Sequence, residues 1–345
     1  MGKSNIRAVE LFSCAGGMAE GFRRAGIDFE ASYDRNPDAC ASYARNLGHA
    51  PTCVDVNDLL LTELPNPPLD LLVADPPCTP WSRAGNRRGL DDPRDCLLAT
   101  RDLILAWRPQ AYLIGNVPGL DDNGNLPVLR ELFAPLSKAG YCVVDFVRLD
   151  AADYGVPQNR IRPFWFGHRG GPCITWPAPT HCDPALLEPV LFAAAQRLPW
   201  VTCREALGHL PEEEIGELVT HLRMNGKHPP CEGSRPARTQ TAREAGGHAG
   251  AQLLAWPWDR PATTVTLESR IGAPGHHKRS GQFGTGSVRK LSERARAILQ
   301  GFPDGWEFVG RTQKSRAGQI GMAMPPALAQ AVATSIRAWF ARRRK

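Results

Sequence analysis

Strand and helix signals alternate through the first 150 residues, and this alternation restricts the fold more than any other feature of the sequence. Short apolar runs with strand character lie at residues 8–12, 31–34, 70–75, 111–114 and 141–147. Helical patterns lie between them, at residues 18–25, 37–46, 97–107 and 127–138. Repeated βα units predict an α/β fold with a doubly wound, mostly parallel sheet that binds its ligands at the carboxyl ends of the strands.

The regular alternation weakens after about residue 170. Segments rich in Pro, Gly, Arg and His continue to about residue 290, and helical periodicity returns at 291–300 and 326–340. We therefore expect a first domain at 1–170, which would be the catalytic and cofactor-binding domain. A smaller irregular domain would follow at 171–285, and residues 286–345 would complete the first domain.

Charge is distributed unevenly along the chain. Residues 1–219 hold 20 basic and 28 acidic side chains, whereas residues 220–345 hold 21 basic and 7 acidic ones, a net charge of +14. This asymmetry favours a polyanionic partner for the second part, although a solvated basic surface gives the same numbers.

Composition excludes some classes of protein. No apolar run approaches the roughly 20 residues of a membrane span, and the N-terminal residues lack the apolar region of a signal peptide. The ten cysteines include no Cys-x-x-Cys pair. We therefore expect a reduced cytoplasmic protein without a membrane partner and without a metal site.

A glycine turn between the first strand and the first helix is a candidate nucleotide site. Gly16 and Gly17 would let the backbone approach a ligand, and a helix N-terminus favours an electron-rich group. Asp34 ends the next strand, where it could accept hydrogen bonds from a ribose, and Asp55 follows a third apolar stretch. Each acid alone could be an ordinary turn residue, but the three features in order favour a nucleoside cofactor.

Cys78 follows two prolines directly after the apolar run at 70–75. Pro76 and Pro77 fix the backbone at the carboxyl edge of the predicted sheet, so Cys78 is a candidate nucleophile. A buried structural cysteine is the ordinary alternative, and it is our interpretation of most of the other nine.

Gln158, Arg160 and Arg162 occupy alternate positions. In an extended strand they would share one face, and two guanidinium groups beside a nucleophile could bind a phosphate and a base carbonyl.

In this order the segments resemble the DNA cytosine-5 methyltransferase family of bacterial or phage type. Six motifs carry the resemblance: Leu11–Gly17, Pro76–Cys78 with Trp81-Ser82, Asn116-Val117 with Gly119-Leu120, Gln158–Arg162, Leu291–Glu293 with Gln300–Asp304, and Gln319–Gly321 with Pro325-Pro326. A chance match of six motifs in order is negligible. The resemblance covers nearly the whole chain.

The resemblance implies the methyltransferase fold that uses S-adenosylmethionine, with target recognition in residues 171–285. Phe12 would stack on the adenine of the cofactor, Asp34 would bind its ribose and Asp55 its adenine edge. The remaining residues that we assign to cofactor binding are Ser13, Gly16, Gly17, Asp75, Pro76 and Met322.

The resemblance also implies a reaction. Cys78 would attack C6 of a cytosine flipped out of double-stranded DNA, and C5 would then accept the methyl group. Arg162 would support the base carbonyl, and Arg160 would hold nearby structure or a phosphate. The protein is expected to be a monomer, and a partnership with a cognate restriction endonuclease, a phage role and a solitary role all stay open.

Four residues depart from the family pattern. Gly115 stands where a glutamate normally precedes Asn-Val, Met322 where the last motif has asparagine, and Cys14 and Asp75 where glycines are usual. The family's glutamate holds N3 and the exocyclic amine of cytosine. Gly115, which is included in the catalytic set for this reason, therefore predicts either weakened activity or an altered base or transferred group.

Other functions stay open at this point. Asp75-Pro76-Pro77 resembles the Asp-Pro-Pro-aromatic motif of amino-group DNA methyltransferases, although Cys78 stands in the aromatic position. A DNA-binding module without catalysis and an RNA substrate within the same family are further alternatives.

Overall fold

The structure is a computed structural model that describes residues 6–61, 68–77, 96–121, 125–187, 197–218, 255–262, 265, 270–272 and 289–343. Cys78, Trp81 and Ser82 lie outside the described residues, as do most of residues 219–288.

Seven strands form the central sheet. The strands are β1 (Ala8–Leu11), β2 (Phe29–Asp34), β3 (Thr52–Cys53), β4 (Leu71–Ala74), β5 (Ala111–Gly115), β6 (Cys142–Asp150) and β7 (Ile161–His168). Their order across the sheet is β3-β2-β1-β4-β5-β7-β6, and β7 alone runs antiparallel to its neighbours. The prediction of a doubly wound, mostly parallel sheet is confirmed.

The strand bounds match the predicted runs closely, with two differences. Strand β2 begins at Phe29, two residues before the predicted run, and β6 continues to Asp150 rather than ending at Val147. Both extensions have a neighbour to pair with, because Phe29 lies opposite Ala8 of β1 and Asp150 lies opposite Ile161 of β7. Pairing in the sheet, which a local pattern does not contain, therefore lengthens these strands.

Four helices of the first part pack against the sheet, and local signals define their ends. They are α1 (Gly17–Arg24), α2 (Pro37–Leu47), α3 (Leu97–Trp107) and α4 (Leu126–Lys138). Helix α2 begins as predicted, because the Asn36 side chain accepts a hydrogen bond from the Asp38 amide and Pro37 occupies the first helical position. Helix α3 has the predicted bounds.

The rest of the described chain forms five helices, of which α9 is the longest, and six short strands. The helices are α5 (Cys203–Leu207), α6 (Glu212–Ile215), α7 (Glu293–Leu299), α8 (Gln313–Met322) and α9 (Pro326–Arg343). The strands are β8 (His181–Cys182), β9 (Leu198–Pro199), β10 (Gly216–Leu218), β11 (Ala255–Pro257), β12 (Arg270–Gly272) and β13 (Arg289–Leu291). Strands β10 to β13 form a small separate sheet, and β8 pairs with β9.

The helix predicted at 291–300 begins at Glu293, two residues later than expected. Leu291 pairs with Gly216 in the small sheet, and the Ser292 hydroxyl accepts a hydrogen bond from the Ala295 amide as the helix cap. The segment that follows the irregular region therefore contributes to two parts of the molecule: β13 belongs to the small sheet, and α9 packs on the central one.

The two faces of the central sheet carry separate apolar clusters. One cluster joins the sheet to α1 and α9, and the other joins it to α3 and α4. Helices α1 and α9 approach closely at Gly21, where an added β-carbon would lie 2.4 Å from the Pro326 carbonyl oxygen. Among the described residues, no helix is both long enough and apolar enough to cross a membrane.

Candidate active site

The carboxyl ends of four neighbouring strands bring the predicted site residues to one edge of the sheet. Leu11 of β1 lies opposite Tyr33 of β2 and Ala74 of β4, and Ala74 lies opposite Ile114 of β5. The next residues along these strands are those singled out from the sequence: Phe12, Asp34, Asp75 and Gly115. This edge, at which the strand order reverses, is where open α/β sheets bind ligands.

The turn after β1 has an unusual backbone. Phe12 and Cys14 have φ angles of 61° and 48°, in the left-handed region that side chains other than glycine rarely adopt. The turn is held by hydrogen bonds from the Ser13 amide to the Tyr33 carbonyl (3.0 Å) and from the Gly16 amide to the Ser13 carbonyl (3.0 Å). Such outliers cluster at functional sites, where surrounding contacts maintain them.

Close contacts with other parts of the protein require the glycines of this turn. A β-carbon on Gly17 would lie 2.2 Å from the Met324 carbonyl oxygen, and one on Gly16 would lie 2.8 Å from Leu47 Cδ1. Trp306 Nε1 donates a hydrogen bond to the Ala15 carbonyl (3.2 Å). The turn is therefore packed against the C-terminal part of the chain.

Asp34 links the turn to the next strand. Its Oδ2 accepts a hydrogen bond from the Cys14 amide and its Oδ1 accepts one from the Asn36 amide, both at 2.8 Å. Burial raises the pKa of Asp34, and these two backbone hydrogen bonds oppose that rise. Each carboxylate oxygen has a further lone pair, so Asp34 can still accept hydrogen bonds from hydroxyl groups of a ligand.

Asp55 is less buried than Asp34 and belongs to a local cap. Its Oδ1 accepts hydrogen bonds from the Asn57 amide (3.0 Å) and side chain (2.8 Å), and Arg35 Nη1 lies 3.4 Å from Oδ2. Burial alone would raise the pKa of Asp55, but the contacts with Asn57 and Arg35 lower it on balance.

Two buried polar groups lie beneath this part of the site. Burial raises the pKa of Glu10 well above the ordinary value, and the nearby carboxylates of Asp34 and Asp75 raise it further. The Ser13 hydroxyl oxygen is buried, and no described group forms a hydrogen bond with it. The sequence analysis missed Glu10, although a charged residue within the apolar run Ala8–Leu11 is a signal that could have identified it.

Asn116 joins the ends of the strands on the other side of the site. Its Nδ2 donates a hydrogen bond to the Pro76 carbonyl (3.3 Å), and its own amide donates to the Pro163 carbonyl (3.2 Å). The ends of β4 and β5 and the start of β7 are thereby linked through one buried residue. Cys78 follows Pro76 by two residues, outside the described part of the chain.

Gly115 is surrounded closely. A β-carbon at this position would lie 3.3 Å from each of Asp75 Oδ1, Met324 Cε and Phe164 Cε1. Burial raises the pKa of Asp75, and the positive charges of Arg162 and Arg160 offset part of that rise. An acid, two cations and a glycine therefore meet at the carboxyl ends of β4 and β5.

The expectation that Gln158, Arg160 and Arg162 lie on one continuous strand is wrong. Strand β7 begins at Ile161, and Gln158 instead forms an isolated bridge with Ala262. The Arg160 amide donates to the Asp150 side chain at Oδ1 (2.8 Å) instead of to a backbone carbonyl of a neighbouring strand.

The three side chains accordingly have different partners. Gln158 Nε2 donates to Gln300 Oε1 (2.7 Å), and its Oε1 accepts from the Val265 amide (3.1 Å). Arg160 Nη2 donates to the carbonyls of Gly321 (2.7 Å) and Ala323 (3.3 Å). Arg162 Nε is buried and has no hydrogen-bond partner among the described residues.

The last motif places two methionines differently. Met322 ends α8 and is 60% exposed, whereas Met324 is 2% exposed and reaches Gly115. The resemblance drew attention to Met322 because it replaces an asparagine. Met324, which the sequence analysis did not select, is the methionine that lies beside Gly115.

The chain matches known proteins over almost its full length. The family model for C-5 cytosine-specific DNA methylases matches residues 6–338. The Type II methyltransferase M.AplI of Arthrospira platensis is 30% identical, with 97% of this chain and 86% of that protein covered. The Type II methyltransferase M1.HphI of Haemophilus parahaemolyticus is 29% identical, with 96% and 87% covered.

Solved structures share the fold. The Dnmt2 methyltransferase of S. pombe superposes with a TM-score of 0.65 at 19% identity, and the alignment covers 99% of this chain and all of that one. The fold, the strand-end site and the match of the family model agree, and the chain belongs to the C-5 cytosine-specific DNA methylase family.

Proposed function

We propose that this DNA (cytosine-5) methyltransferase acts through a covalent bond between Cys78 and C6 of a cytosine flipped out of double-stranded DNA. The observation that carries the proposal is the Asn116–Pro76 hydrogen bond, which fixes the backbone leading to Cys78. The same strand ends present Arg162, so a cation stands beside the path to the nucleophile. A nucleophile on a rigid approach with a neighbouring cation suits attack on an electron-poor ring.

In the proposed reaction the Cys78 thiolate forms a bond to C6, and the electrons of the C5–C6 double bond shift towards N3 and O2. Arg162 stabilises the charge on O2. C5 is then nucleophilic and takes the methyl group. Loss of the C5 proton and departure of the thiolate restore the aromatic ring. Arg160, whose side chain binds the carbonyls of Gly321 and Ala323, positions the C-terminal segment rather than the base.

S-adenosylmethionine is the proposed cofactor, and when bound it supplies the electrophilic methyl group. The residues at the site suit a cationic nucleoside: the Ser13 hydroxyl has no described partner, and the carboxyl groups of Glu10, Asp34 and Asp75 lie near one another. Phe12 would stack on the adenine, Asp34 would bind the ribose and Asp55 the adenine edge. Gly16, Gly17, Pro76 and Met322 would complete the surface around the cofactor.

The partner is DNA, and the finer assignments are proposals. We assign target recognition to residues 171–285 and catalysis to 1–170 together with 286–345, in a monomer. The relatives are named Type II methyltransferases, which supports a cognate restriction endonuclease as partner. The net charge of +14 in residues 220–345 supports DNA binding whose affinity falls steeply with salt. Arg235, Arg238, Arg243, Lys278 and Arg279 lie in that part of the chain, outside the described residues.

A trapping experiment tests the covalent step. DNA in which 5-fluorocytosine replaces cytosine should form a denaturant-resistant adduct with the protein and S-adenosylmethionine, because fluorine cannot leave C5 as a proton does. Cys78→Ser should abolish the adduct. Cys173→Ser is the matched control, because Cys173 is exposed and lies outside the proposed site. Equal trapping by Cys78→Ser would exclude Cys78 as the nucleophile.

Product analysis separates this function from its alternative. Digested DNA should contain 5-methylcytosine. Detection of an amino-methylated base instead would support the reading of Asp75-Pro76-Pro77 as an amino-group methyltransferase motif.

A further inference from the structure

Two departures from the family pattern are neighbours in space. Ala74 of β4 lies opposite Ile114 of β5, so the next residues, Asp75 and Gly115, are neighbours at the carboxyl ends of adjacent strands. The family has glycine at the position of Asp75 and glutamate at the position of Gly115. In this chain the acid and the glycine have exchanged places between adjacent strands.

The Asp75 carboxyl group lies beside the position that a side chain at residue 115 would occupy. Its Oδ1 lies 3.3 Å from the β-carbon position of Gly115, and Met324 and Phe164 approach that position equally closely. The space at residue 115 is therefore closed by three side chains rather than left empty.

The surroundings of Asp75 leave it available to a ligand. No described residue donates a hydrogen bond to its carboxylate, and Asp75 as a residue is partly exposed. Arg162 and Arg160 provide the nearby positive charge, and Glu10 and Cys14 are the titratable groups that face it from β1 and the following turn. Burial outweighs the two arginines, so the pKa of Asp75 lies above the usual aspartate value.

We propose that the Asp75 carboxyl group recognises N3 and the 4-amino group of the flipped cytosine, in place of the glutamate that is absent at residue 115. The proposal rests on the proposed function of the preceding section. A protonated carboxyl group offers a hydroxyl donor to N3 and a carbonyl acceptor to the 4-amino group. Thymine presents the opposite pattern, with a donor at N3 and an acceptor at position 4, so the same contact selects cytosine.

The carboxyl group also serves the addition step. When the Cys78 sulfur bonds to C6, negative charge develops at N3, and the Asp75 proton moves to N3. When the thiolate leaves and the ring double bonds return, N3 gives the proton back to Asp75. Donation of this kind contributes roughly 10²–10⁴ in rate.

Substitutions at Asp75 separate recognition from proton donation. Asp75→Ala removes both, and methylation should fall by about 10²–10⁴. Asp75→Asn keeps a donor and an acceptor of the same shape but has no acidic proton, so it should still prefer cytosine and yet methylate slowly. Asp70→Asn is the matched control, because Asp70 precedes the opposite end of the same strand and accepts hydrogen bonds from the Arg7 amide and Gln110.

Binding to altered bases gives a readout that a structural role would not change. The target site is first defined by bisulfite sequencing of DNA from expressing cells, and the target cytosine is then replaced by 2-pyrimidinone, which lacks the 4-amino group. The wild type should lose about tenfold in affinity, as expected for one hydrogen bond of this kind. Asp75→Ala should bind both duplexes equally. Discrimination retained by Asp75→Ala would overturn the proposal.

The exchange can also be reversed. Gly115→Glu alone should lower methylation, because its β-carbon is crowded and a second carboxylate would face Asp75. The double variant Asp75→Gly/Gly115→Glu should be at least tenfold faster than Asp75→Gly alone. A Gly115→Glu variant that methylates DNA faster than the wild type would overturn the proposal. That result would mean that Asp75 does not replace the glutamate that is absent at residue 115.

The outcomes distinguish the two proposals. A wild type that forms the 5-fluorocytosine adduct and methylates DNA, but is insensitive to Asp75→Asn and Asp75→Ala, overturns this inference and leaves the proposed function intact. A wild type that forms no adduct and no 5-methylcytosine overturns both. Thermal unfolding of every variant shows that the comparison is made on folded protein.

Discussion

The two sides of the active site are built by different means. On the proposed cofactor side, backbone amides of the turn after β1 donate to the Tyr33 carbonyl and to the Asp34 carboxylate. On the proposed base side, the side chains of Asp75, Asn116 and Met324 surround the ends of β4 and β5. Backbone amides are the same in every residue type, so the turn keeps its hydrogen bonds with Cys14 in place of glycine, whereas the ends of β4 and β5 depend on which side chains are present.

The largest effect is expected on the cofactor side, at Gly17. A β-carbon there would lie 2.2 Å from the Met324 carbonyl oxygen, which belongs to the backbone and cannot turn away. Gly17→Ala should lower the free energy of unfolding by about 3 kcal/mol, at the upper end of overpacking costs. Chemical denaturation of the two proteins measures this change.

Gly318→Ala is the matched control for Gly17→Ala. Gly318 also lies in a helix, but nothing lies within 4 Å of its β-carbon position. Alanine is favoured over glycine in helices, so Gly318→Ala should leave stability unchanged or raise it by up to about 1 kcal/mol. Equal losses for both variants would show that the tight contact at Gly17 is not what requires glycine.

The second effect concerns Arg160 and Arg162. Arg160 Nη2 donates to the carbonyls of both Gly321 and Ala323, and Arg160→Lys, which lacks this nitrogen, should lower the free energy of unfolding by about 2 kcal/mol. Arg162→Lys should cost less than about 1 kcal/mol of stability and should mainly slow methylation. Denaturation and methylation assays on both variants separate the effect on stability from the effect on rate. A larger loss of stability in Arg162→Lys than in Arg160→Lys would contradict this assignment.

The third effect is a pH dependence caused by Glu10. Burial raises its pKa in the folded protein above the value of about 4.3 expected when the chain is unfolded. The folded state therefore holds the Glu10 proton more tightly than the unfolded state does. The contribution of Glu10 to stability is complete below about pH 4 and is lost as the pH rises towards the pKa of Glu10 in the folded protein. Glu10→Gln should remove this slope, which for one group is about 1.4 kcal/mol per pH unit. Parallel stability curves for the two proteins from pH 4.5 upwards would contradict the assignment.

The smallest effect is expected at Ser13. Its hydroxyl is buried without a described partner, so Ser13→Ala should leave the stability of the free protein unchanged or slightly higher. The affinity for S-adenosylmethionine should fall by about fivefold, equivalent to about 1 kcal/mol for one lost hydrogen bond. Isothermal titration calorimetry measures the affinity, and an unchanged value would remove Ser13 from the cofactor side.

Local chemistry in the sequence predicts most of the first domain. The cap at Asn36 and the apolar periodicity of Leu97–Trp107 define α2 and α3 without help from distant residues. Local chemistry does not define the end of β6 at Asp150 or the start of β7 at Ile161, because the pairing of these two strands decides where each begins and ends.

Contacts between distant residues account for what the sequence did not reveal. The motif order singled out Gly115 and Asp75 as separate departures, and only the register of β4 with β5 shows that they adjoin. Met322 and Met324 are the same residue type two positions apart. Their exposure differs because α8 ends at Met322, before the chain reaches Met324. A motif therefore predicts the residue types of a site, whereas the pairing of the strands decides which of those residues lie next to one another.

The packing of the first turn on the last motif has a consequence for protein synthesis. Cys14 Sγ lies 3.5 Å from the Gln319 carbonyl, a contact between residues 305 positions apart, and Gly17 abuts Met324. The ribosome releases this turn long before it makes residues 319–324, which support the turn in the folded protein. A growing chain therefore holds the turn without its packing partners until translation has passed residue 324.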